Sequence, residues 1–478
     1  MKTHPERTRL LFVAVGLLVV FSLAACGGGG GGGGGVSAIS GDIDRVSVAT
    51  GGAQGNGNSS GASLSNTGQY VAFSSKATNF VAGDVNGVED VFVHDTQSGQ
   101  TTLISGAAAG AVGFAGASSE PVISPDGNYV AFASASSNLL LTNNDTNGFT
   151  DVFLRNWQAA GAVTKRVSVD NVPGDLSQVA GGDSVLFGNA VATDNVTGNV
   201  FVVFYSNAAF PLLGKALALP PNPTPTDVYA RELGAGLNGL QTILVSSNSA
   251  GLPADESSQF PSISASGQYV VFDSLATDLV GGDTNGVQDV FIRDLRDPNP
   301  ATRMRRVSLD NAGVQASQSS YFASVSATGR YVAFTSDASL APNDLNAQPD
   351  VYLRNLDNNT TTLVSVATNG NSGNLPSTGF YALAVSNDGR YVVFTSRASD
   401  LVTGDTNSTV FHDVFVRDMV NRVTSRVNVT LGGTQANNET FDVAISGNGG
   451  FIAFSSAASN LNTGDTNGFF DVFYVAVP

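Results

Sequence analysis

The chain consists of short apolar runs separated by polar turns, and the pattern repeats from residue 42 to residue 478. The clearest run is a glycine, one further residue, an aromatic residue, two apolar residues and a phenylalanine. A degenerate copy, one residue longer, lies at 198–204. Successive glycines are 59, 71, 69, 62, 60 and 60 residues apart, so a unit of about 60 residues is present seven times. The six regular copies begin at Gly68, Gly127, Gly267, Gly329, Gly389 and Gly449.

Each unit holds four apolar bursts, which in the fourth unit lie at 262–264, 269–272, 290–293 and 306–309. The bursts are rich in β-branched and aromatic residues, whereas Gly, Asn, Asp and Ser fill the segments between them. This composition is typical of strands and turns. No segment has the spacing of an amphipathic helix. The sequence therefore predicts an all-β protein with four strands in each unit.

The order of the strands predicts how the chain closes. Seven third strands are each preceded by an aspartate, but only six fourth strands follow them, because the chain ends soon after the last third strand. The segment 44–48 matches the fourth strands at 166–169 and 426–429, yet it precedes every other element. We therefore predict a closed seven-bladed β-propeller of four-stranded antiparallel blades over residues 42–478, in which the N-terminal strand completes the last blade. An open β-solenoid is the alternative, but it would not need the displaced strand.

The stretch 123–132, Ile-Ser-Pro-Asp-Gly-Asn-Tyr-Val-Ala-Phe, resembles the WD40-like repeat in the propeller of TolB-like periplasmic proteins. Five further units keep the serine before the turn and the glycine after it. The resemblance covers residues 42–478 and implies the propeller fold. TolB-like proteins carry a separate N-terminal domain, whereas here the first strand begins about ten residues after a glycine-rich segment. The resemblance therefore does not carry their role over to this chain.

The first 25 residues have the features of an export signal. Basic residues at positions 2, 7 and 9 precede the apolar run 10–25, which is shorter than a membrane span requires. The run ends in Leu-Ala-Ala-Cys, which resembles the lipobox of bacterial lipoproteins. The resemblance implies cleavage before Cys26 and lipidation of this residue, the only cysteine of the chain. The alternative is an ordinary signal peptide with a cysteine present by chance.

Residues 26–41 follow as a tether, because the successive glycines at 27–35 offer no side chains to pack. These features divide the chain into a lipoprotein signal peptide at 1–25, a lipidated cysteine with its tether at 26–41, and the propeller at 42–478. We expect a protein of the bacterial cell envelope, attached to a membrane through its lipid anchor.

Charge and composition disfavour several functional classes. The chain has 22 Lys and Arg against 39 Asp and Glu, a net charge of −17, which would repel nucleic acid. One cysteine and three histidines leave little material for a Cys-rich metal cluster or for acid–base catalysis. His94 occupies a strand position that is arginine in four other units, which predicts a surface residue, and His412 lies in a two-residue insertion before Asp413. We assign no catalytic residue and expect no nucleic-acid partner.

A polar motif recurs between the second and third strands, with the pattern Asp-x-Asn-Gly-x-x-Asp in its most regular copies. Its carboxylate and amide oxygens are ligands that Ca²⁺ prefers, although Ca²⁺ needs six to eight oxygens and the motif supplies fewer. The alternative is that Asn-Gly forms the turn and the aspartates accept backbone N–H groups as Asx turns. The sequence leaves both interpretations open. The candidate Ca²⁺ ligands are Asp84, Asn86, Asp90, Asp145, Asn147, Asp151, Asp283, Asn285, Asp289, Asp344, Asn346, Asp350, Asp405, Asn407, Asp413, Asp465, Asn467 and Asp471.

The loops that contain this motif are long, and so are the connections from each fourth strand to the next unit. Because strands alternate in direction within a blade, both kinds of long loop should open on the same face of the ring. Long loops on a rigid scaffold are the usual place for recognition. We therefore predict a non-catalytic binding or scaffold module that holds a protein, peptide or glycan on this face. The alternative is an extracytoplasmic hydrolase or lyase, which would need a deep central pocket lined with converging titratable groups.

Overall fold

A computed structural model describes residues 42–82, 84–106, 116–140, 147–159, 163–169, 182–194, 196–207, 225–234, 237, 239–378, 383–407 and 410–478. These residues form β-strands, turns and loops and contain no α-helix. A helix able to cross a membrane is accordingly not found in this part of the chain. The signal peptide, Cys26 and the tether predicted above lie outside the described residues.

The strands form seven sheets, which we number as blades 1–7 along the chain. The N-terminal strand is β1, Asp44–Arg45. Blade 1 contains β2 Ser59–Leu64, β3 Tyr70–Ser75, β4 Asp90–Asp95 and β5 Gln100–Leu103. Blade 2 contains β6 Ser118–Ile123, β7 Tyr129–Ser134, β8 Asp151–Asn156 and β9 Val163–Arg166. Blade 3 contains β10 Ser184–Val185, β11 Val191–Thr193, β12 Val200–Ser206, β13 Asp227–Leu233 and β14 Gly239–Leu244.

The remaining strands complete the second half of the ring. Blade 4 contains β15 Ser258–Ile263, β16 Tyr269–Ser274, β17 Asp289–Asp294 and β18 Met304–Arg306. Blade 5 contains β19 Ser320–Val325, β20 Tyr331–Ser336, β21 Asp350–Asn355 and β22 Thr360–Leu363. Blade 6 contains β23 Ala384–Val385, β24 Tyr391–Ser396, β25 Asp413–Asp418 and β26 Val423–Arg426. Blade 7 contains β27 Thr440–Ile445, β28 Phe451–Ser456, β29 Asp471–Ala476 and the N-terminal strand β1.

The strand pairing confirms the predicted ring of four-stranded antiparallel blades. Blade 7 is completed by the other end of the chain, since Asp44 lies opposite Tyr474 and Arg45 opposite Phe473. Strand β2 of blade 1 also packs against blade 7, so the ring is closed and an open solenoid is excluded. Blade 3 is irregular, because β10 and β11 pair with opposite ends of β12 and together fill the position of the first strand.

The repeated glycine is required by the contact between neighbouring blades. Gly127 has a φ of 77°, a conformation that L side chains rarely adopt. A Cβ atom at this position would come within 3 Å of the ring of Tyr70 in the preceding blade. An aromatic ring thus lies on the turn glycine of the next blade, which explains why the two residues recur together. The same contact occurs at Gly68, Gly267, Gly329, Gly389 and Gly449, against Phe451, Phe201, Tyr269, Tyr331 and Tyr391 respectively.

Inside each blade, a stacked pair of aromatic rings joins the second strand to the third. In blade 4, Phe272 and Phe291 lie directly opposite each other and are fully buried. Their ring centroids are 5.9 Å apart, and the other blades repeat this spacing to within a few tenths of an ångström. Such pairs contribute both buried apolar area and a favourable ring contact to the core of each blade. The other pairs are Phe73–Phe92, Phe132–Phe153, Phe204–Tyr229, Phe334–Tyr352, Phe394–Phe415 and Phe454–Phe473.

Deletion of residues 42–50 tests the closure of the ring. It removes β1 and also Ser47, whose hydroxyl donates to the buried Asp471 carboxylate at 2.6 Å, and it exposes an edge of β29. We expect the melting temperature of the whole propeller, measured by calorimetry, to fall by roughly 5 °C or more. Deletion of the equally long glycine segment 27–35 is the control and should change nothing. A melting temperature equal to that of the full chain would contradict the closure.

Candidate functional site

Two kinds of long loop meet on one face of the ring, which we call the long-loop face. The Asn285 side chain donates to the Ala316 carbonyl at 3.0 Å between blades 4 and 5, and Asn467 donates to the Gly55 carbonyl at 3.1 Å across the closure. These contacts join second-to-third loops to fourth-to-first loops, so the predicted common face is confirmed. Where the structure describes them, the loops occupy the intervals 46–58, 76–89, 104–117, 135–150, 167–183, 207–226, 245–257, 275–288, 307–319, 337–349, 364–383, 397–412, 427–439 and 457–470.

Each third strand begins with an aspartate that connects it to the fourth strand. In blade 4 the Ser308 hydroxyl donates to Asp289 at 2.5 Å and accepts the N–H of Val290 at 3.2 Å. All seven blades contain this bridge, with Asn428 in place of serine in blade 6. Six of these carboxylates are fully buried, and Asp227 is half-buried. The strand-start aspartates are Asp90, Asp151, Asp227, Asp289, Asp350, Asp413 and Asp471.

The asparagine of the motif supports this aspartate from the loop. Asn86 donates from Nδ2 to Asp90 at 2.8 Å, while its Oδ1 accepts the N–H of Val88 at 3.1 Å, which is an Asx turn. Asn285 donates to Asp289 in the same way at 2.7 Å. The motif therefore builds a turn in the manner of the second interpretation above. Asn147 and Asn467 repeat the bond to the aspartate, whereas Asn346 and Asn407 donate to the backbone carbonyls of Gly373 and Ala436.

The first aspartate of the motif also lies beside an arginine of the fourth strand in three blades. In blade 4, Arg306 Nη2 lies 2.9 Å from Asp283 and Nε lies 3.6 Å from Asp289. The single positive charge of the guanidinium therefore lies within ion-pair distance of both buried carboxylates. Blade 2 has the equivalent Arg166, 3.5 Å from Asp151, although Asp145 lies outside the described residues. The other contacts are Arg45 with Asp465 and Asp471, and Arg426 with Asp405 and Asp413.

Leucine replaces this arginine in blades 1, 3 and 5. In blade 1 no lysine or arginine of the described residues pairs with the aspartates of the motif. Burial, followed by the charge of Asp90, raises the pKa of Asp84 to about 6. Asp413 in blade 6 shows that arginine offsets burial only in part, because burial still raises the pKa of Asp413 to about 6. The three leucines are Leu103, Leu244 and Leu363.

In blade 5 the two carboxylates of the motif are also close to each other. Burial raises the pKa of Asp350 to about 8, and the charge of Asp344 adds to the rise. The Tyr352 hydroxyl donates to Asp344. Within the described residues, no group of three or more Asp, Glu, His or Cys side chains is arranged to hold a metal ion. A metal at this motif would therefore have two carboxylates as its only charged ligands.

A small pocket lies in the half of the central channel away from the long-loop face, and none of the described residues that line it is charged. It has a volume of about 30 Å³. Backbone hydrogen bonds join the tight turns of neighbouring blades around it, as between the Asn66 N–H and the Pro125 carbonyl at 2.8 Å. The Asn387 amide also donates to Asn66 at 2.6 Å across the turns. The apolar lining consists of Leu64, Ile123, Val191, Ile263, Val325, Val385 and Ile445.

Three phenylalanines, which we call the aromatic cluster, meet in the other half of the channel. Phe187, Phe260 and Phe322 follow or belong to the first strands of blades 3, 4 and 5, and their centroids are 4.9, 5.0 and 5.6 Å apart. Blades 3 and 5 are not neighbours, so these side chains can meet only at the inner rim of the ring. Phe260 and Phe322 have φ values of 52° and 54° at strand irregularities. All three rings are half-buried. Sequence reasoning missed this cluster, because Phe260 and Phe322 lie two residues after Ser258 and Ser320, whereas Phe187 lies three residues after Ser184 in the irregular blade 3.

Carboxylates beside the aromatic cluster connect successive blades. Asp273 of blade 4 accepts the N–H of Phe322 at 3.1 Å, and Glu120 of blade 2 accepts that of Leu186 at 3.1 Å. Across the closure, Asp442 accepts the N–H of Gly61 at 3.1 Å. Burial raises the pKa of Asp273 to about 7 and that of Asp442 to about 6. These groups join neighbouring blades, Asp273 from a second strand and Glu120 and Asp442 from first strands.

The two histidines considered above lie in different surroundings. The surface location predicted for His94 is wrong: the side chain is buried, with Nδ1 2.9 Å from the Thr101 hydroxyl, and burial lowers its pKa. The reason is that the N-terminal segment covers this strand, as the Thr101 bond to the Val48 carbonyl shows. His412 lies on the long-loop face, with Nδ1 2.6 Å from the carboxylate of Glu439. No sequence motif indicated this pairing.

No family model and no curated protein matches this chain. Similar solved structures include an oligogalacturonate lyase in complex with manganese, with a TM-score of 0.48, 11% identity and coverage of 91% of this chain and 93% of that chain. A putative TolB from Agrobacterium tumefaciens has a TM-score of 0.34, 13% identity and coverage of 64% and 79%. A Pyrococcus horikoshii acylaminoacyl peptidase has a TM-score of 0.45, 9% identity and coverage of 84% and 49%. At such identities these likenesses concern the fold alone.

Asp273 should make the stability of the propeller depend on pH. Its pKa is raised in the folded state, so between about pH 4 and about pH 7 the folded protein holds a proton that the unfolded chain has lost. The stability of the folded state therefore falls as the pH rises through this range. The unfolding free energy of the parent should fall between about pH 5 and about pH 8. We expect this fall to be about 2–3 kcal/mol smaller in Asp273→Asn, as measured by urea unfolding. Glu256→Gln, at an exposed position, is the control. Parallel pH profiles for Asp273→Asn and the parent would refute the assignment.

Proposed function

We propose that this protein is a non-catalytic binding module that holds its ligand on the long-loop face. The observation that carries the proposal is the distribution of exposed apolar side chains. Among the described residues, nine of the fourteen large hydrophobic side chains that are exposed lie in the loops of this face. Concentrated apolar exposure on one face is typical of interaction surfaces. The nine are Val85, Phe149, Leu252, Leu275, Val314, Leu345, Val410, Leu431 and Phe469.

The channel supports binding rather than catalysis. Its far half is narrow, with no charged side chain among the described residues that line it, and the carboxylates of Asp273, Glu120 and Asp442 are engaged in backbone hydrogen bonds between blades. A half-buried aromatic cluster at the centre of a rigid ring suits a ligand with apolar or ring surfaces. The net charge of −17 disfavours nucleic acid. A protein, a peptide or a glycan fits these features.

The alternative function, an extracytoplasmic hydrolase or lyase, has one observation in its favour. Glu439 orients the imidazole of His412, and both side chains are partly exposed on the long-loop face. A carboxylate-oriented histidine is a common general base. Turnover of peptide or glycan substrates that is lost in His412→Gln would favour the enzyme, whereas unchanged ligand capture by this variant without turnover supports the binding module.

Matched variants on the two faces of blade 6 test the binding surface. We expect Val410→Ser with Leu431→Ser, on the long-loop face, to lower the affinity for captured ligand by about tenfold, because two exposed apolar contacts are lost. The control, Val420→Ser with Val423→Ser, changes equally exposed residues at the opposite end of the blade. Ligands are captured from envelope extract and from peptide and glycan arrays with the full chain in detergent, and affinities are then measured by calorimetry. Weaker binding by the control alone would contradict the proposal.

We also propose that Cys26 is lipidated and attaches the protein to a membrane of the bacterial envelope. The support is the lipobox-like sequence before the only cysteine and the glycine tether after it. We expect Cys26→Ser to leave the precursor uncleaved at this position and to shift the protein out of the detergent phase in a partitioning assay. Ser37→Ala, in the tether, is the control. Unchanged detergent partitioning of Cys26→Ser would refute the lipid anchor.

A further inference from the structure

In blades 4, 6 and 7, which we call the arginine blades, an arginine of the fourth strand pairs with both aspartates of the motif. In blade 7, Arg45 Nη1 lies 3.3 Å from Asp465 and 3.4 Å from Asp471, and both carboxylates are buried. Burying two adjacent carboxylates costs free energy unless a positive charge neutralises them. The guanidinium is therefore part of the folded loop, and each motif without it has an uncompensated charge.

Blades 1 and 5 contain the same two aspartates with leucine in place of the arginine. Asp84 and Asp344 are 5% and 7% exposed, and Asp90 and Asp350 are fully buried. Oδ1 of Asp84, Oδ1 of Asp344 and Oδ2 of Asp350 are buried and accept no hydrogen bond. No lysine or arginine of the described residues forms an ion pair with these four carboxylates. Asp283 and Asp413 also have buried oxygens without a hydrogen bond, but there a guanidinium lies 2.9 and 3.7 Å from the carboxylate. In blades 1 and 5 no cation of the described residues takes that place, which indicates a missing positive ligand.

In blade 5, where leucine replaces the arginine, the glutamine that contacts this arginine in other blades is replaced as well. In blade 4 Arg306 donates to Gln315, nine residues further on, and in blade 7 Arg45 donates to Gln54 at 3.1 Å. In blade 5 the residue at the same place as the glutamine is Ser372, whose hydroxyl accepts the Leu345 N–H at 2.9 Å. The site in blade 5 is thus a coherent variant of the motif rather than a single lost side chain.

We propose that Asp84 with Asp90, and Asp344 with Asp350, each bind a hard divalent cation of the calcium type in the place that arginine occupies in the other blades. The donors are carboxylate oxygens, which hard cations prefer, and backbone carbonyls and water complete the coordination. A divalent ion supplies two positive charges, one for each carboxylate of a pair, whereas the guanidinium supplies one. The proposal restricts metal binding to two of the six motifs, because in the other four an arginine of the fourth strand already pairs with the strand-start aspartate.

Replacement of the metal by arginine provides the test. We titrate Ca²⁺ and Mg²⁺ into the chelator-treated full chain in detergent by calorimetry and expect two Ca²⁺ sites with weaker Mg²⁺ binding. Leu103→Arg should remove one Ca²⁺ site, and Leu363→Arg with Ser372→Gln should remove the other. The variant that combines all three changes should bind no Ca²⁺ and should keep its melting temperature in chelator. Asp283→Asn, in an arginine blade, is the control and should keep both sites.

Two outcomes would overturn the proposal. The first is the absence of Ca²⁺ binding by the parent chain at millimolar concentration, which would mean that each pair shares a proton instead. The second is a stoichiometry that the arginine variants leave unchanged. If an arginine variant fails to fold, the near-isosteric changes Asp84→Asn and Asp344→Asn replace it, and each should remove one Ca²⁺ site. Retention of both sites in these variants would likewise refute the assignment.

Discussion

The buried carboxylate at the start of each third strand is the interaction on which the other features of this propeller depend. A carboxylate without solvent is tolerated only when hydrogen bonds or a cation satisfy it. In every blade the fourth strand supplies a serine or asparagine that donates to the carboxylate and accepts the next backbone N–H of the third strand. The carboxylate therefore fixes the pairing of the two outer strands. In blade 7 the same bond comes from Ser47, which lies 424 residues before Asp471, so the local interaction also closes the ring.

The same carboxylate imposes a second requirement on the loop in front of it. The turn places another aspartate beside the first, and the pair accumulates negative charge under the long-loop face. Arginine on the fourth strand meets this requirement in blades 4, 6 and 7 with ion pairs to both carboxylates. Blade 3 avoids the problem differently, because Asp227 is the only aspartate that its motif retains. Blades 1 and 5 keep both aspartates without arginine, which makes them chemically distinct from their neighbours.

The contacts that hold the blades together and the solvent-exposed long loops lie in different parts of this ring. The tight turns narrow the channel at one end, and the aromatic rings on the turn glycines hold the blades in contact. The long loops rest on the aspartate bridges and leave apolar side chains in solvent. Recognition can therefore vary through loop residues such as Val410 and Leu431 without a change in the core. This arrangement supports the binding function that we propose for the long-loop face.

The amino-acid sequence by itself determined the number of blades, the four strands of each and the closure by residues 44–48. These features follow from local periodicity, because each unit repeats the same apolar pattern and the displaced strand can be recognised by its match to other units. The Asx turns could also be predicted from the sequence, because the asparagine and the residue whose N–H it accepts are only two positions apart. Only the tertiary structure decided which aspartates face arginine, that His94 is buried, and that Phe187, Phe260 and Phe322 meet. Such contacts join residues from separate strands or separate blades, and their partners are set by how the ring curves rather than by spacing along the chain.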